Sequence, residues 1–496
     1  MLSRRTFVAA AAMAGLGFRS GISYGQNSGA MTPLPVPQLI DPQASGGKLS
    51  LTISRGTHAF LQGKPVRSFG YSAPVLGPAL RLRRGETTEI SVQNKMDEPT
   101  TVHWHGLLIP GAVDGGPHNV IRPGQSWTVK LAIDQPETTA WFHPHPHGAT
   151  AAQVYSGLAG LLLIEDSSGE RLELPRQYGV DDLPIIMQDR AFDDDGSLLY
   201  DPGPMDIMAG FRGETLIVNG VVNPVARVPA GLVRLRLLNG ANARFFEPQF
   251  SDSRTFHVIA SDGGYLPAPV PLQQLILAPG ERYEVLVDFA NGQRTTLLTG
   301  ADRNVPMMGM MMGGAMPAEG GALVTFETDA SLPVAATTLP KALVPVPAID
   351  RAKAVRTRQF FLNDMMMRGM MGGGMMGGGM MGGRGAGPAM GINGRPFDMG
   401  RIDADVRKDT VELWQIGSHM MSHPFHVHGT QFQILSMNGQ RPPAYMRGWK
   451  DTVIVAREAE ILVPFSQPAS ADTAFMFHCH ILEHEDAGMM GQYTCA

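Results

Sequence analysis

Short stretches that alternate apolar and polar residues follow one another from about Gly47 to the end of the chain. Side chains along a strand point to opposite faces in turn, so this alternation predicts strands with one buried face. Glycine and proline separate the stretches, and no long amphipathic helical pattern interrupts them. The pattern therefore predicts an all-β fold made of Greek-key β-sandwiches.

The pattern recurs three times. Its first half reads as two short strands around a polar turn, with copies that begin at Leu80, Val225 and Ile402. Its second half has copies that begin at Pro123, Pro279 and Arg457. Only the outer copies lead to histidine pairs. Because 496 residues exceed one core, we expect three domains, at 45–166, 170–330 and 350–496, with the middle one a spacer that holds no metal ligand.

Charge and cysteine content narrow the function. The net charge of -5 comes from mixed charges, and no basic surface for nucleic acid is indicated. The two cysteines are Cys479 and Cys495. If Cys479 is a metal thiolate, no disulfide within the chain can form, and Cys495 is free or makes an intermolecular link. We expect a monomer without a membrane partner.

The N-terminus predicts export. Arg4 and Arg5 precede an alanine-rich apolar run that ends near Phe18, a pattern typical of a twin-arginine signal peptide. The run is shorter than the roughly 20 apolar residues that span a bilayer. We therefore predict that residues 1–28 are a signal peptide and that the mature protein is periplasmic.

The last twenty residues contain a candidate metal site. Cys479 supplies a thiolate, His484 an imidazole and Met489 a weak thioether, which with one more histidine complete the ligands of a blue-copper electron-transfer site. In a strand, His478 and His480 would face away from Cys479 and serve a second site. The same parity separates His423 from the pair His426 and His428, so His423 is the predicted fourth ligand.

Two further histidine pairs, His103 with His105 and His143 with His145, bring the predicted cluster to eight histidines. Four such pairs, one of which encloses a cysteine that is followed by histidine and methionine, resemble the multicopper oxidases. Among these, the methionine-rich periplasmic cuprous oxidases of bacteria are the most similar. The resemblance covers the whole mature chain and implies three cupredoxin-like domains and four coppers: one type 1, one type 2 and two type 3.

The resemblance also implies a ligand for each copper. Type 1 copper would be held by His423, Cys479, His484 and Met489. Type 2 copper would be held by His103 and His426. One type 3 copper would be held by His105, His143 and His480, and the other by His145, His428 and His478. Asp114 and Glu485 match acidic positions that the family uses to deliver protons to dioxygen. They could instead be a loop-stabilising Asx turn and a solvated charge.

Methionine-rich stretches bear on the substrate. Residues 365–390 alternate methionine runs with glycines, and a shorter cluster spans Met307 to Met316. Thioethers are soft ligands that favour cuprous ion, and so much glycine argues against a packed core. By the resemblance this insert covers the type 1 copper. The relatives carry aspartate where this chain has His419, so we expect an altered substrate-copper site formed by Asp364, Met365, Met366, His419 and Met421.

The sequence thus predicts an oxidase that couples oxidation of cuprous ion, with small phenols as a side activity, to reduction of dioxygen to water, with a role in copper tolerance. Two alternatives stay open. One is a plain bacterial laccase that acts on phenols. The other is a copper-sequestering protein with incidental oxidase activity.

Overall fold

The structure is a computed structural model that describes residues 32–305, 318–364, 390–419 and 421–496, without the side chain of Asp364. The predicted signal peptide 1–28, the cluster Met307 to Met316, and residues 365–389 of the methionine-rich insert lie outside the described residues. The remainder belongs to one compact unit, Thr32–Ala496. Among the described residues, no helix is long and apolar enough to cross a membrane.

The first segment, residues 39–165, contains eight strands in two four-stranded sheets. The sheet orders are β3-β2-β5-β6 and β1-β4-β8-β7. Neighbours in each sheet that are distant in sequence give the Greek-key topology predicted from the alternating pattern. The strands are β1 (Leu39–Ile40), β2 (Lys48–Leu61), β3 (Lys64–Tyr71), β4 (Ala79–Arg83), β5 (Thr87–Asn94), β6 (Ser126–Ala132), β7 (Thr138–Phe142) and β8 (Gly160–Glu165).

The second segment, residues 182–328, contains eleven strands among its described residues. Its sheets run β10-β9-β13-β17-β15-β16, with β11 also on β9, and β12-β19-β18-β14. The strands are β9 (Asp182–Phe192), β10 (Leu198–Leu199), β11 (Thr215–Val218), β12 (Val225–Val228), β13 (Leu232–Asn239), β14 (Pro248–Phe250), β15 (Phe256–Ser261), β16 (Gly264–Leu272), β17 (Arg282–Asp288), β18 (Thr295–Thr299) and β19 (Gly321–Thr328).

The third segment, residues 354–495, contains ten strands among its described residues. They form two five-stranded sheets, β21-β20-β23-β27-β25 and β22-β29-β28-β24-β26. The strands are β20 (Ala354–Asp364), β21 (Met390–Ile392), β22 (Ala404–Val406), β23 (Thr410–Ser418), β24 (His423–Val427), β25 (Gln433–Met437), β26 (Thr452–Val455), β27 (Glu458–Phe465), β28 (Phe475–Cys479) and β29 (Met490–Cys495). Strand β28 is the middle strand of its sheet, and β24 lies beside it.

Helices are few and short among the described residues, as the sequence predicts. They are α1 (Gly111–Asp114), α2 (Thr150–Tyr155), α3 (Ser167–Glu170), α4 (Pro204–Ala209) and α5 (Leu482–Asp486), with short 3-10 turns at Pro42–Ser45, Arg351–Lys353, Ala444–Met446 and Ala471–Thr473. The chain is therefore all-β and cupredoxin-like. The domain limits predicted from the sequence stay predictions, although every named strand pairs within its own segment.

Apolar faces of these sheets form the cores. In the first segment the buried set includes Leu51, Ile90, Val129 and Leu162, which come from strands of both sheets. In the third segment Trp414 is fully buried, and its ring centroid lies 5.6 Å from that of Phe477 on β28. The strand that carries the predicted ligands is therefore held by a close-packed aromatic core, which limits its movement.

Candidate metal centre

Pairing of β24 with β28 positions the central ligands. The two strands are antiparallel, with Phe425 opposite Cys479 and His426 opposite His478. Since neighbours on a strand point to opposite faces, Cys479 and His478 leave the sheet on different sides. The structure thus has the parity that the sequence predicts.

Three ligand atoms meet on the Cys479 side. The Sγ atom of Cys479 lies 3.4 Å from Nδ1 of His423 and 3.5 Å from Nδ1 of His484, and the two nitrogens are 3.2 Å apart. An ion at the centre of such a triangle would lie about 2 Å from each atom, which is an ordinary length for a metal bond. Two imidazoles and one thiolate in a triangle are the donor set of a blue-copper site.

The surroundings of this triangle are dry and hold the ligands in place. Met489 is fully buried, and its main-chain oxygen accepts a hydrogen bond from the Cys479 amide at 3.1 Å. Nε2 of His484 donates to the main-chain oxygen of Met208 in α4 at 3.0 Å, which leaves Nδ1 for a metal. Burial raises the pKa of the Cys479 thiol, so metal binding would have to release its proton.

The first segment repeats the same arrangement. His103 and His143 form an antiparallel bridge, in which the His103 amide donates to the His143 oxygen at 2.8 Å. This is the counterpart of the pairing between His426 and His478. Pro144 follows His143 where Cys479 follows His478, so this copy lacks a thiolate.

Eight histidines from the two segments meet in one buried cluster, and none is more than 1% exposed: His103, His105, His143, His145, His426, His428, His478 and His480. The Nε2 atom of His478 lies 3.2 Å from Nε2 of both His145 and His428. The ring centroids of His105, His143 and His480 are 5.1 to 5.6 Å apart. The members of each predicted type 3 set therefore lie close together, and the division of the eight histidines among the coppers stays a prediction. Beside these two sets, His103 and His426 have centroids 5.8 Å apart.

The cluster fits a metal because many of its ring nitrogens have no hydrogen-bond partner in the protein among the described residues. Seven buried nitrogens of the cluster have no hydrogen-bond partner among the described residues: Nε2 of His103, His143 and His426, Nδ1 of His105 and His145, and both nitrogens of His480. Such atoms are rare in folded proteins, because leaving each unpaired costs about 1–3 kcal/mol. Burial also lowers the pKa of His105, His143, His145, His426, His428 and His480, to about 3 at His145, which keeps these imidazoles neutral and able to bind metal.

The two predicted carboxylates lie against the cluster. The Asp114 carboxylate accepts from Nδ1 of His428 at 2.7 Å, and its Oδ1 has no partner among the described residues. Glu485 lies 3.3 Å from Nδ1 of His145 and 3.1 Å from Nδ1 of His478. Both side chains are nearly fully buried. The solvated-charge interpretation of Glu485 is therefore wrong, since this side chain is 1% exposed.

Of the predicted substrate-copper residues, the structure describes His419, Met421 and the main chain of Asp364. Strands β20 and β23 are parallel, with Leu362 opposite Ser418, so the chain reaches Asp364 and His419 at the same end of the sheet. His419 is exposed, and Met421 is 7% exposed and two residues from His423. The Asp364 side chain, Met365 and Met366 lie outside the described residues.

Sequence reasoning missed two groups that contact the proposed ligands. One is the main-chain oxygen of Met208, and the other is Asp451, whose Oδ1 accepts from Nε2 of His105 at 3.1 Å. Asp451 is 346 positions from His105. No local spacing could have connected them.

Six sheets among the described residues, a thiolate–imidazole triangle and an adjoining histidine cluster define a cupredoxin-type metalloprotein. Sequence models of the multicopper oxidase family match residues 52–169 and 366–496. The chain is 45% identical to a laccase-like multicopper oxidase, CueO, from Ochrobactrum sp., covering 94% of this chain and 100% of that one with a TM-score of 0.84. The laccase of Pediococcus acidilactici is 34% identical, covers 94% of both chains and has a TM-score of 0.80.

Relatives named as cell division proteins are similar over nearly the full length of this chain. The cell division protein FtsP of Xenorhabdus nematophila is 37% identical over 495 residues, which are 99% of this chain and 98% of that protein. FtsP of Escherichia coli strain K12 is 36% identical over 497 residues, with the same shares. The chain belongs to the multicopper oxidase family. Membership implies copper as the bound metal, with dioxygen and a reducing substrate as reactants.

The lowered histidine pKa values predict that the metal-free protein loses stability in acid. Burial lowers the pKa of eight of the ten proposed ligand histidines. For His484 it falls to about 4, so between pH 6.5 and 4 the unfolded chain binds more protons there. Burial raises the pKa of Glu483 and Asp486, which makes the folded protein more stable as the pH falls. These two acids are outnumbered by the eight histidines.

We therefore expect protonation of His145 and of His484 each to lower the free energy of unfolding of the metal-free protein by about 2 kcal/mol between pH 7 and 5, with the other six histidines acting in the same direction. Urea unfolding at the two pH values measures this. Copper-loaded protein is the control, because bound metal competes with protons and should flatten the dependence. Equal stability of the metal-free protein at both values would contradict burial of neutral imidazoles.

Proposed function

We propose that this protein is an exported, periplasmic oxidase that oxidises cuprous ion, with small phenols as a side activity, and reduces dioxygen to water with four coppers per chain. Its role would be in copper tolerance. The observation that carries the proposal is the position of Cys479. Its Sγ lies in a triangle with two imidazoles, while the adjoining residues His478 and His480 belong to the eight-histidine cluster. In this proposal, the site that accepts electrons from the donor and the site that reduces dioxygen are joined by only a few covalent bonds.

The chain's own groups have distinct tasks in this scheme. Bound copper would supply the one-electron steps. Cys479 and its neighbours connect the two sites and are fully buried, which excludes water from the path. Asp114 is fixed through one oxygen by His428, so its unpartnered Oδ1 is the atom available to hold a proton beside the cluster. Glu485 can accept a proton between His145 and His478.

Access to the Cys479 site supports a small donor. His484 has no exposure, and the main-chain oxygen of Met208 occupies its outer nitrogen. His423 keeps 5% exposure, and the side from which a donor can approach is therefore that of His423 and Met421. The methionine-rich insert follows Asp364 near this end of the sheet, and its thioethers suit cuprous ion.

A plain laccase is the runner-up within the enzyme class. It is favoured by the solved Ochrobactrum relative, which is described as having oxidase activity towards lignin model compounds and lignosulfonate. Rates of dioxygen consumption with cuprous ion and with a phenol separate the two. A copper-sequestering protein would bind cuprous ion but consume little dioxygen with either donor.

A part in cell division is a second candidate, since relatives of 36–37% identity over nearly the whole chain carry that name. A structural role of that kind would not require the buried cluster of imidazoles. The same ligand variant can test both functions, because an oxidase role depends on Cys479 and a purely structural role does not.

Replacing Cys479 with Ser should abolish the blue colour and dioxygen consumption together, because the thiolate would give the bound copper its intense absorption and would connect that copper to the histidine cluster. Visible spectra, copper content and an oxygen electrode measure this. Cys495→Ser is the matched control and should keep both properties. A Cys479→Ser protein that stays blue would contradict the ligand assignment. One that loses oxidase activity but still restores normal division in a deletion strain would favour the division role.

Asp114→Asn and Glu485→Gln should each slow dioxygen reduction by about 100-fold or more while the blue absorption persists, since each change removes a proton carrier but no proposed ligand. Turnover is measured with one donor at saturating concentration. Exposed Asp134→Asn is the control for the charge change. Loss of colour would show instead that these carboxylates maintain the metal site.

Removing the methionine-rich insert should lower the rate with cuprous ion and raise it with a bulky phenol. Met390 is buried in β21 and Asp364 pairs with it, so the deletion is limited to residues 365–389, and a two-residue Asn-Gly turn closes the hairpin. A variant of full length with serine for each methionine of the insert separates loss of thioethers from loss of cover. If the deletion changed neither rate, the plain laccase would become the preferred function.

A further inference from the structure

The histidine cluster contains two stacked imidazole pairs, each of which joins the first segment to the third. His103 stacks on His428 with ring centroids 3.7 Å apart and an angle of 19° between the planes. His105 stacks on His426, again at 3.7 Å, with an angle of 11°. By the proposed assignment, each pair combines one type 2 ligand with one type 3 ligand.

One aspartate serves each stacked pair in the same way. Nδ1 of His103 donates to the main-chain oxygen of Asp114 at 3.0 Å, and Nδ1 of His426 donates to that of Asp451 at 2.9 Å. In each pair the other histidine faces the carboxylate of the same aspartate: His428 for Asp114 and His105 for Asp451. Asp451 is thus the structural counterpart of Asp114.

The two aspartates differ in what holds the carboxylate. Asp114 keeps an unpartnered Oδ1, whereas both oxygens of Asp451 accept from Arg282, at 2.9 Å from Nη1 and 2.7 Å from Nη2. The other three N–H groups of Arg282 donate to the main-chain oxygens of Thr139, Gly280 and Asp262 at 3.0 to 3.1 Å. All five donors of the guanidinium are therefore used. Its fork fixes the Asp451 carboxylate in one orientation.

This orientation selects the nitrogen that His105 offers to the cluster. An imidazole has two nitrogens, and a hydrogen bond at one determines which remains for a metal. Asp451 occupies Nε2 of His105, so its buried Nδ1 is the unpartnered atom. In the other pair, Asp114 occupies Nδ1 of His428, whose Nε2 lies 3.2 Å from Nε2 of His478. The two aspartates thus leave opposite nitrogens for metal.

Arg282 belongs to the segment that supplies no ligand. It is the first residue of β17, and the preceding turn passes Gly280 against the ring of His480. A Cβ at Gly280 would lie 2.8 Å from Cδ2 of His480, and one at Gly106 would lie 2.5 Å from Nη2 of Arg282. Both glycines also have positive φ, so neither place tolerates a side chain. The middle segment therefore approaches the cluster directly.

We propose that Arg282 and Asp451 are a positioning pair, through which the middle segment fixes the metal-binding nitrogen of His105 and the placement of His426. The pair acts on one type 3 copper and on the type 2 copper, and it leaves the Cys479 site alone. This inference rests on the proposed four-copper assignment. By this proposal the middle segment, which the sequence predicts to be a spacer, helps to position metal ligands.

The test compares copper content and electron paramagnetic resonance spectra of full-length, copper-loaded proteins. Asp451→Asn removes the charge that Arg282 holds while keeping the side-chain shape. We expect copper affinity of the cluster to fall about 10- to 100-fold, as for other groups that orient ligands, with a changed type 2 spectrum and unchanged blue absorption. Arg282→Lys keeps the positive charge but loses the fork, and should show the same selective change.

Asp182→Asn is the matched control, because Asp182 is also buried and makes two hydrogen bonds with one arginine, Arg236, within the middle segment. It should alter stability without changing the type 2 spectrum. If Asp451→Asn does not fold, the copper affinity and type 2 spectrum of Arg282→Lys alone test the proposal. A folded variant with the copper affinity and type 2 spectrum of the unaltered protein overturns the proposal. Failure of the unaltered protein to bind four coppers would instead overturn the proposed function.

Discussion

The antiparallel pairing of β24 with β28 is the constraint on which the rest of the centre depends. Because side chains alternate along a strand, Cys479 and His478 must leave the sheet on opposite sides. His426 lies opposite His478, and three residues earlier His423 reaches the Cys479 side. A shift of one residue in this register would exchange the two faces and separate every ligand from its partners. The aromatic core around Trp414 and Phe477 stabilises the register.

Three segments then close around this pair of strands. The first contributes four histidines and Asp114, and the third contributes four histidines together with Glu485. The second contributes no proposed ligand, but its Gly280 and Arg282 pack against the same cluster. Burying an arginine and an aspartate is costly unless each hydrogen bond is satisfied. Arg282 meets that requirement with groups from all three segments, so the arrangement demands their correct assembly.

Local spacing along the sequence was sufficient to predict the strands and the two faces of the metal centre. Alternation predicts the strands, and parity around Cys479 predicts which ligand faces which site. Pro144, in the place that corresponds to Cys479, explains why the first segment has no thiolate site. The choice between Nδ1 and Nε2 at His105 could not be predicted, because it depends on Asp451, 346 positions away. The hydrogen bond from His484 to the main-chain oxygen of Met208 could not be predicted either, because every residue has a main-chain carbonyl and no side chain identifies this one.

Similarity to proteins with different names leaves the function to be argued from the site, because one fold can serve unrelated functions. Here the energetic argument favours a metal. Imidazole nitrogens at His103, His105, His143, His426 and His480 are buried without protein partners among the described residues, and each such group costs about 1–3 kcal/mol in a folded protein. A chain that served only as a scaffold would be more stable with apolar side chains of similar volume at these positions. A bound metal removes this penalty by taking the unpaired nitrogens as ligands, so the same atoms that would weaken a scaffold stabilise a copper protein.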